Sequence, residues 1–230
     1  MKMRKNLVLF VVAFVMAACS TVNTGNMASS QGKWQFWQGR GNAQVQVDSV
    51  IYEPENLQDE EYDYDVEGRG PALILSRIVP GKKWQLDLKP QFFSLDKTYN
   101  RFSFGLWIGD SSARPSIGSK MAKAVLAVSR TRGPEKGDNA LKLIIREKED
   151  PKTISLSLLT SDFRFEREKN EIIVYVSEGY VVRYKEIARI PIPRKSTVSF
   201  FAGARYDGVI YGEPRMILRN MTLNGEGFFE

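Results

Sequence analysis

The residues with the clearest chemistry lie in the run Glu61-Tyr62-Asp63-Tyr64-Asp65-Val66-Glu67. In an extended strand alternate side chains share a face, so Glu61, Asp63, Asp65 and Glu67 line one side and Tyr62, Tyr64 and Val66 the other. Neighbours on the acidic side stand about 7 Å apart. Three kinds of behaviour fit such a row. Two carboxylates can cleave a glycosidic bond, one as acid and one as base or nucleophile, which makes Asp63, Asp65 and Glu67 the candidate catalytic residues. The same oxygens, joined by Asp59 and Glu60, suit calcium, which takes roughly six to eight oxygen ligands; Asp63 and Asp65 are the candidate ligands. A solvated charged strand also resists edge-to-edge pairing without doing any chemistry.

What is missing narrows the field further. The chain has no histidine, which removes the commonest metal ligand and the commonest general base near neutral pH. Histidine-based triads and zinc proteases are excluded. Cys19 is the only cysteine, so no internal disulfide holds the fold. No phosphate-cradling glycine loop, Cys-x-x-Cys pair or nucleic-acid motif occurs, and no Lys/Arg block stands out after the first residues. These absences favour a binding protein over an enzyme and argue against a nucleic-acid partner.

A second set of residues suits binding. Over Arg101–Gly109, Phe102, Phe104, Leu106 and Ile108 take one face, while Trp107 shares the other with Arg101, Ser103 and Gly105. Exposed aromatic rings beside polar groups form a platform for sugar rings, so Trp107, Tyr99, Arg101 and Tyr206 are the candidate glycan-binding residues; the other reading of Trp107 is burial under a loop or a tether segment. Trp34 and Trp37 are expected to pack in or beside the core, and Arg130, Arg132 and Lys136 to form a solvated turn.

The elements that must position these residues begin with the amino terminus. Lys2, Arg4 and Lys5 precede the apolar run Leu7–Val15, and small residues follow up to Cys19. A positive start, an apolar middle of roughly 7–15 residues and small residues at the cut make a secretory signal. The run is short of the about 20 apolar residues of a membrane-spanning helix. Residues 1–18 are therefore expected to be a removed signal peptide, 19–33 a flexible polar tether, and 34–230 one folded domain. Removing the first 18 of 230 residues leaves 212, and losing Lys2, Arg4 and Lys5 takes the formal net charge from +6 to +3.

Met16-Ala17-Ala18-Cys19 resembles the lipobox of bacterial lipoprotein precursors, with Met16 where the pattern usually carries leucine. The resemblance implies that Cys19 becomes the first residue and carries acyl chains such as palmitate. It implies a cell-envelope protein held by a lipid anchor. Ser20, in place of an acidic residue, favours the outer over the inner membrane. Each buried CH₂ contributes only about 0.8 kcal/mol, so stable anchoring needs more than one chain.

Downstream the pattern is of short strands. Ala43–Tyr52 alternates; Ala72–Val79 is a continuous apolar run suited to a strand covered on both faces. Trp84–Phe92, Arg101–Gly109, Leu141–Arg146, Ile154–Leu158, Asn170–Gly179, Val181–Pro193, Thr197–Arg205 and Arg215–Asn224 follow, with Gly225–Glu230 as a tail. Ala122–Arg130 is read as a strand despite its alanines, because strands flank it. About twelve strands with 18 glycines and 10 prolines between them predict an all-β, two-sheet antiparallel sandwich.

Three pieces are similar to the concanavalin A-like, laminin-G-like jelly-roll superfamily. They are Gly70-Pro-Ala-Leu-Ile-Leu-Ser with Trp84-Gln-Leu-Asp-Leu, then Ile173-Val-Tyr-Val-Ser-Glu-Gly179, then Ile217-Leu-Arg-Asn-Met-Thr-Leu-Asn-Gly225. The resemblance implies glycan or protein binding on a curved sheet, sometimes beside calcium. Laminarinase-type members carry a Glu-x-Asp-x-(x)-Glu strand, which Asp63-x-Asp65-x-Glu67 echoes. In those enzymes that strand follows the early strand pair; here it precedes it. The expectation is a lipid-anchored envelope protein whose sandwich binds a glycan. A laminarinase-like hydrolase and a structural component binding another envelope protein are the alternatives, and calcium is the one cofactor the acidic row admits.

Overall fold

A computed structural model of the chain describes residues 34–37, 42–46, 49–53, 74–93, 99–109, 122–132, 139–147, 151–193, 195–207 and 215–228. The described residues hold fifteen strands and no helix. Seven form one sheet in the spatial order β1 (Gln35–Trp37), β4 (Ile74–Ile78), β13 (Thr197–Asp207), β6 (Tyr99–Gly109), β7 (Ala124–Arg132), β8 (Ala140–Arg146) and β9 (Lys152–Leu156). The other sheet has eight strands. Its order is β12 (Lys185–Pro191), β11 (Glu171–Glu178), β10 (Thr160–Glu168), β5 (Lys83–Phe93), β14 (Arg215–Leu223), β3 (Ser49–Glu53) and β2 (Asn42–Gln46), with β15 (Glu226–Gly227) paired on β14. The sheets pack face to face as an antiparallel sandwich, as the alternation predicts.

The core lies between the sheets, and period-two alternation fills it. Trp84, Leu86 and Leu88 of β5 and Phe163 and Phe165 of β10 meet Phe102, Phe104, Leu106 and Ile108 of β6 and Phe200 of β13, all buried. Phe104 touches Phe163 of the opposite sheet edge-on, ring centroids 5.2 Å apart at 85°. Trp34 packs against the same core and meets Phe200 and Phe228 edge-on at 6.1 and 5.8 Å. The packing role expected of Trp34 is therefore met; the Trp37 side chain lies outside the described residues.

The strand over Ala122–Arg130 is present as β7. The run ending at Val79 is covered on both faces, since the adjacent Ser76 and Arg77 are both buried.

Three expectations are corrected. Ala43–Tyr52 is a hairpin and not one strand: β2 and β3 pair with Gln46 opposite Ser49. The closing residues are not a tail. Asn224 and Gly225 both take positive φ (55° and 86°), the backbone of a two-residue type I′ turn. It folds β15 onto β14 with Leu223 opposite Glu226 and carries Phe228 into the core. Val181–Pro193 is a strand only from Lys185, because residues 179–184 form a turn segment.

Candidate functional site

The outer face of the seven-stranded sheet is the one named from sequence. Trp107 does stand opposite the core-facing row, but it is 1 % exposed and not a platform open to solvent. It forms a small second cluster with Val125, Ala127 and Phe201, against which Ala122 and Ile144 pack. The alternation assigned its face correctly; what it could not show is that this face is also covered. Arg101 is half-buried on the same side. The register pairs Tyr99 with Asp207 and Tyr206 with Asn100. Tyr206 thus lies in β13, at a register position opposite Asn100 and not opposite Tyr99 or Arg101. The Tyr99 and Tyr206 side chains lie outside the described residues. So do Asp63, Asp65 and Glu67, the acidic candidates, and Cys19. Among the described residues no group of three His, Cys, Asp or Glu side chains is placed to hold a metal ion. Arg130 is no solvated turn residue: half-buried in β7, it donates to the carbonyls of Thr131 and Ala140 at 2.6 and 3.3 Å.

The outer face of the eight-stranded sheet is built differently. Burying Leu86 and Leu88 turns Gln85 and Asp87 of β5 outward, and burying Phe163 and Phe165 turns Arg164 and Glu166 of β10 outward. The register sets Arg164 opposite Asp87 and Glu166 opposite Gln85. Arg164 Nε donates to Asp87 Oδ1 at 2.6 Å, and Gln85 Nε2 donates to Asp87 Oδ2 at 2.6 Å. The Arg164 guanidinium lies over the Tyr184 ring, 4.0 Å from its centroid. Across β11 and β12 the pattern continues. Tyr175 stands beside Arg164 and bonds Glu166, and Arg189 pairs with Glu171 and Glu186 at 2.9 and 3.0 Å.

The Arg164–Asp87 pair is only partly shielded, its side chains 26 % and 20 % exposed. Ion pairs at this depth contribute about 1 kcal/mol or less to stability. Their consequence here is orientation: the Asp87 carboxylate is gripped from both sides, and an aromatic ring is clamped next to it. At one end of the strip a cavity of about 460 Å³ opens, lined by Lys83, Gln85, Glu166, Glu168 and the Asn224-Gly225 turn. That volume is within the range of small-ligand sites, roughly 300–1,000 Å³. The turn is tied to the strip, since Gln85 N–H donates to Asn224 Oδ1 at 3.0 Å and Asn224 N–H to the Gln85 carbonyl at 2.8 Å.

Electrostatics agree with the geometry. Burial, and then the Asp87 charge, push the Tyr184 phenol up to about 12. Burial opposes the charge of Arg164, but the hydrogen bond and charge of Asp87 outweigh it and raise its pKa. An unfolded tyrosine titrates near pH 10. The stability gained by keeping Tyr184 neutral is complete below about pH 10 and is lost as pH rises through about 12. Phenolate absorbance, taken as wild type minus Tyr184→Phe, is expected to show this late titration. Asp87→Asn should bring it down only part of the way, because burial, the larger cause, remains. A difference titration centred on the ordinary tyrosine value would refute the buried clamp.

Sequence reasoning passed over these residues. Asp87 and Arg164 lie 77 positions apart, and each reads locally as the polar side of an amphipathic strand. The available signal was charge of both signs on the outward positions of β5 and β10, with Tyr184 just after the Gly179 turn.

No protein-family model and no curated protein matches the chain. Solved structures do. A legume lectin-like domain from Entamoeba histolytica superposes with a TM-score of 0.53 at 10 % identity, covering 84 % of this chain and 90 % of that one. A functionally unknown protein from Saccharomyces cerevisiae gives 0.51 at 15 % identity, over 84 % and 95 %. The likeness is one of fold, the two-sheet antiparallel sandwich.

Proposed function

We propose that the chain is a lipid-anchored protein of the bacterial cell envelope, on the outer membrane, whose sandwich binds a glycan along the polar strip of the eight-stranded sheet. One observation carries the glycan reading: the Asp87 carboxylate is held by Arg164 and Gln85 beside the Tyr184 ring, and Gln85 also lines the open cavity at one end of the strip. Sugars offer fans of hydroxyl groups that pair with planar, fixed acceptors and donors, and an apolar ring face that packs on an aromatic. The strip supplies both. The legume lectin-like fold supports the reading without assigning the site. The anchor rests on the Met16–Cys19 motif, and Cys19 would carry it.

Glycan-array binding of the detergent-extracted chain tests the site. Wild type is expected to bind at least one glycan class. Asp87→Ala and Tyr184→Ala should each weaken binding roughly tenfold or more, since a hydrogen bond to a charged group is worth about 1.5–3 kcal/mol. Equal binding by wild type and Asp87→Ala, with the β-sheet circular dichroism unchanged, would reject the strip. For the anchor, Cys19→Ala should move the protein from the membrane to the soluble fraction without altering its fold.

A further inference from the structure

The strongest unassigned feature is a pair of apolar turns at one end of the sandwich. The link from β9 to β10 presents Leu158 and Leu159, the latter 73 % exposed. The link from β11 to β12 presents Tyr180, Val181 and Val182; Tyr180 is fully exposed and Val181 is 65 % exposed. Among the described residues these five are the exposed large hydrophobic side chains.

They are displayed by a built scaffold. Gly179 N–H donates to the Leu159 carbonyl at 3.2 Å, and Ser161 Oγ donates to the Gly179 carbonyl at 3.2 Å, so the two turns are joined. Ser157 Oγ accepts from Leu159 N–H at 3.1 Å. The buried Ser177 hydroxyl accepts from Arg183 N–H at 2.8 Å and donates to the Val181 carbonyl.

We infer that this tip inserts into the interfacial layer of a phospholipid bilayer. Three points favour a bilayer over a protein partner. The apolar side chains stand on two short exposed turns between strands, which suits a wedge between lipids better than a flat contact. Leu, Val and Tyr are the types that bury at the acyl boundary while a tyrosine hydroxyl stays at the headgroups. The exposed cations Arg183 and Lys185 follow directly, with stems long enough to reach anionic headgroups while the apolar tip is immersed. The inference does not depend on the glycan strip or on the lipid anchor.

The test uses the full chain with Cys19→Ser, which removes the one native thiol, and a nitroxide attached at Val181→Cys, Leu159→Cys or, as control, Lys152→Cys. Because Leu7–Val15 can itself bring the chain to a vesicle, the readout is local to each label. With phosphatidylcholine–phosphatidylglycerol vesicles, labels at 181 and 159 are expected to gain accessibility to oxygen and lose it to a water-soluble relaxer, while the label at 152 stays in water. Val182→Asp should abolish the change at 181. Weaker insertion into pure phosphatidylcholine is expected from the loss of headgroup charge. Labels at 181 and 159 that remain in water with both vesicles overturn the inference. So does immobilisation without lipid that grows with protein concentration, which would make the tip a contact between copies of the chain.

Discussion

Phe104→Asp is expected to leave no cooperatively folded protein. Phe104 has no exposed surface, and it reaches across the core to Phe163, making it one of the side chains that tie the two sheets together. Truncating a buried phenylalanine costs about 3–5 kcal/mol. A carboxyl group in its place adds the desolvation of a polar group without a partner, roughly 1–3 kcal/mol even when it protonates. The total is comparable with the whole stability of an ordinary domain, about 5–15 kcal/mol. Urea unfolding followed by circular dichroism should show no transition for Phe104→Asp. Phe104→Leu, which keeps most of the apolar volume, should keep a transition at a lower midpoint. A midpoint for Phe104→Asp equal to wild type would mean that residue 104 is not between the sheets.

Gly105→Ala, one residue on, is expected to be almost as damaging for a different reason. Gly105 has φ of 155°, and a Cβ built there overlaps the Leu126 carbonyl oxygen of the neighbouring strand. The obstacle is backbone, so it cannot rotate aside. Gly105 pairs with Ala127 on β7 and Phe201 on β13, and separating these central strands would disturb both the main core and the Trp107 cluster. Overpacking costs about 1–3 kcal/mol and the backbone conformation roughly 1–3 kcal/mol more. The expected loss is therefore about 2–6 kcal/mol, read as a lower thermal midpoint. Gly179→Ala is the control for conformation alone: it also has positive φ (75°), but a Cβ there meets nothing within 4 Å, so it should cost far less. Equal losses at the two positions would show that φ, and not the approach of β7, governs Gly105.

Both variants act on residues whose role was partly legible beforehand. The alternation around Phe104 is local, and it assigned the core row of β6 correctly. The same alternation put Trp107 on the other face and left its exposure open, because a strand's own sequence reports which residues share a side and not what lies over that side. The tail after Gly225 failed similarly. Asn-Gly is a turn signal in any sequence, but that Phe228 reaches the core depends on where β14 sits in the sheet.

Period-two patterning and composition are written residue by residue, and they are enough to specify an all-β sandwich without disulfides or histidine chemistry. The sequence also carries the Met16–Cys19 motif on which the anchored reading rests. Which outward side chains meet is settled at the level of the folded sheets. The Arg164–Asp87–Gln85 grip beside Tyr184, and the joining of the Leu159 and Gly179 turns, come from strand register between segments distant in the chain. Register is set by cooperative packing of the whole core, so no local stretch encodes it.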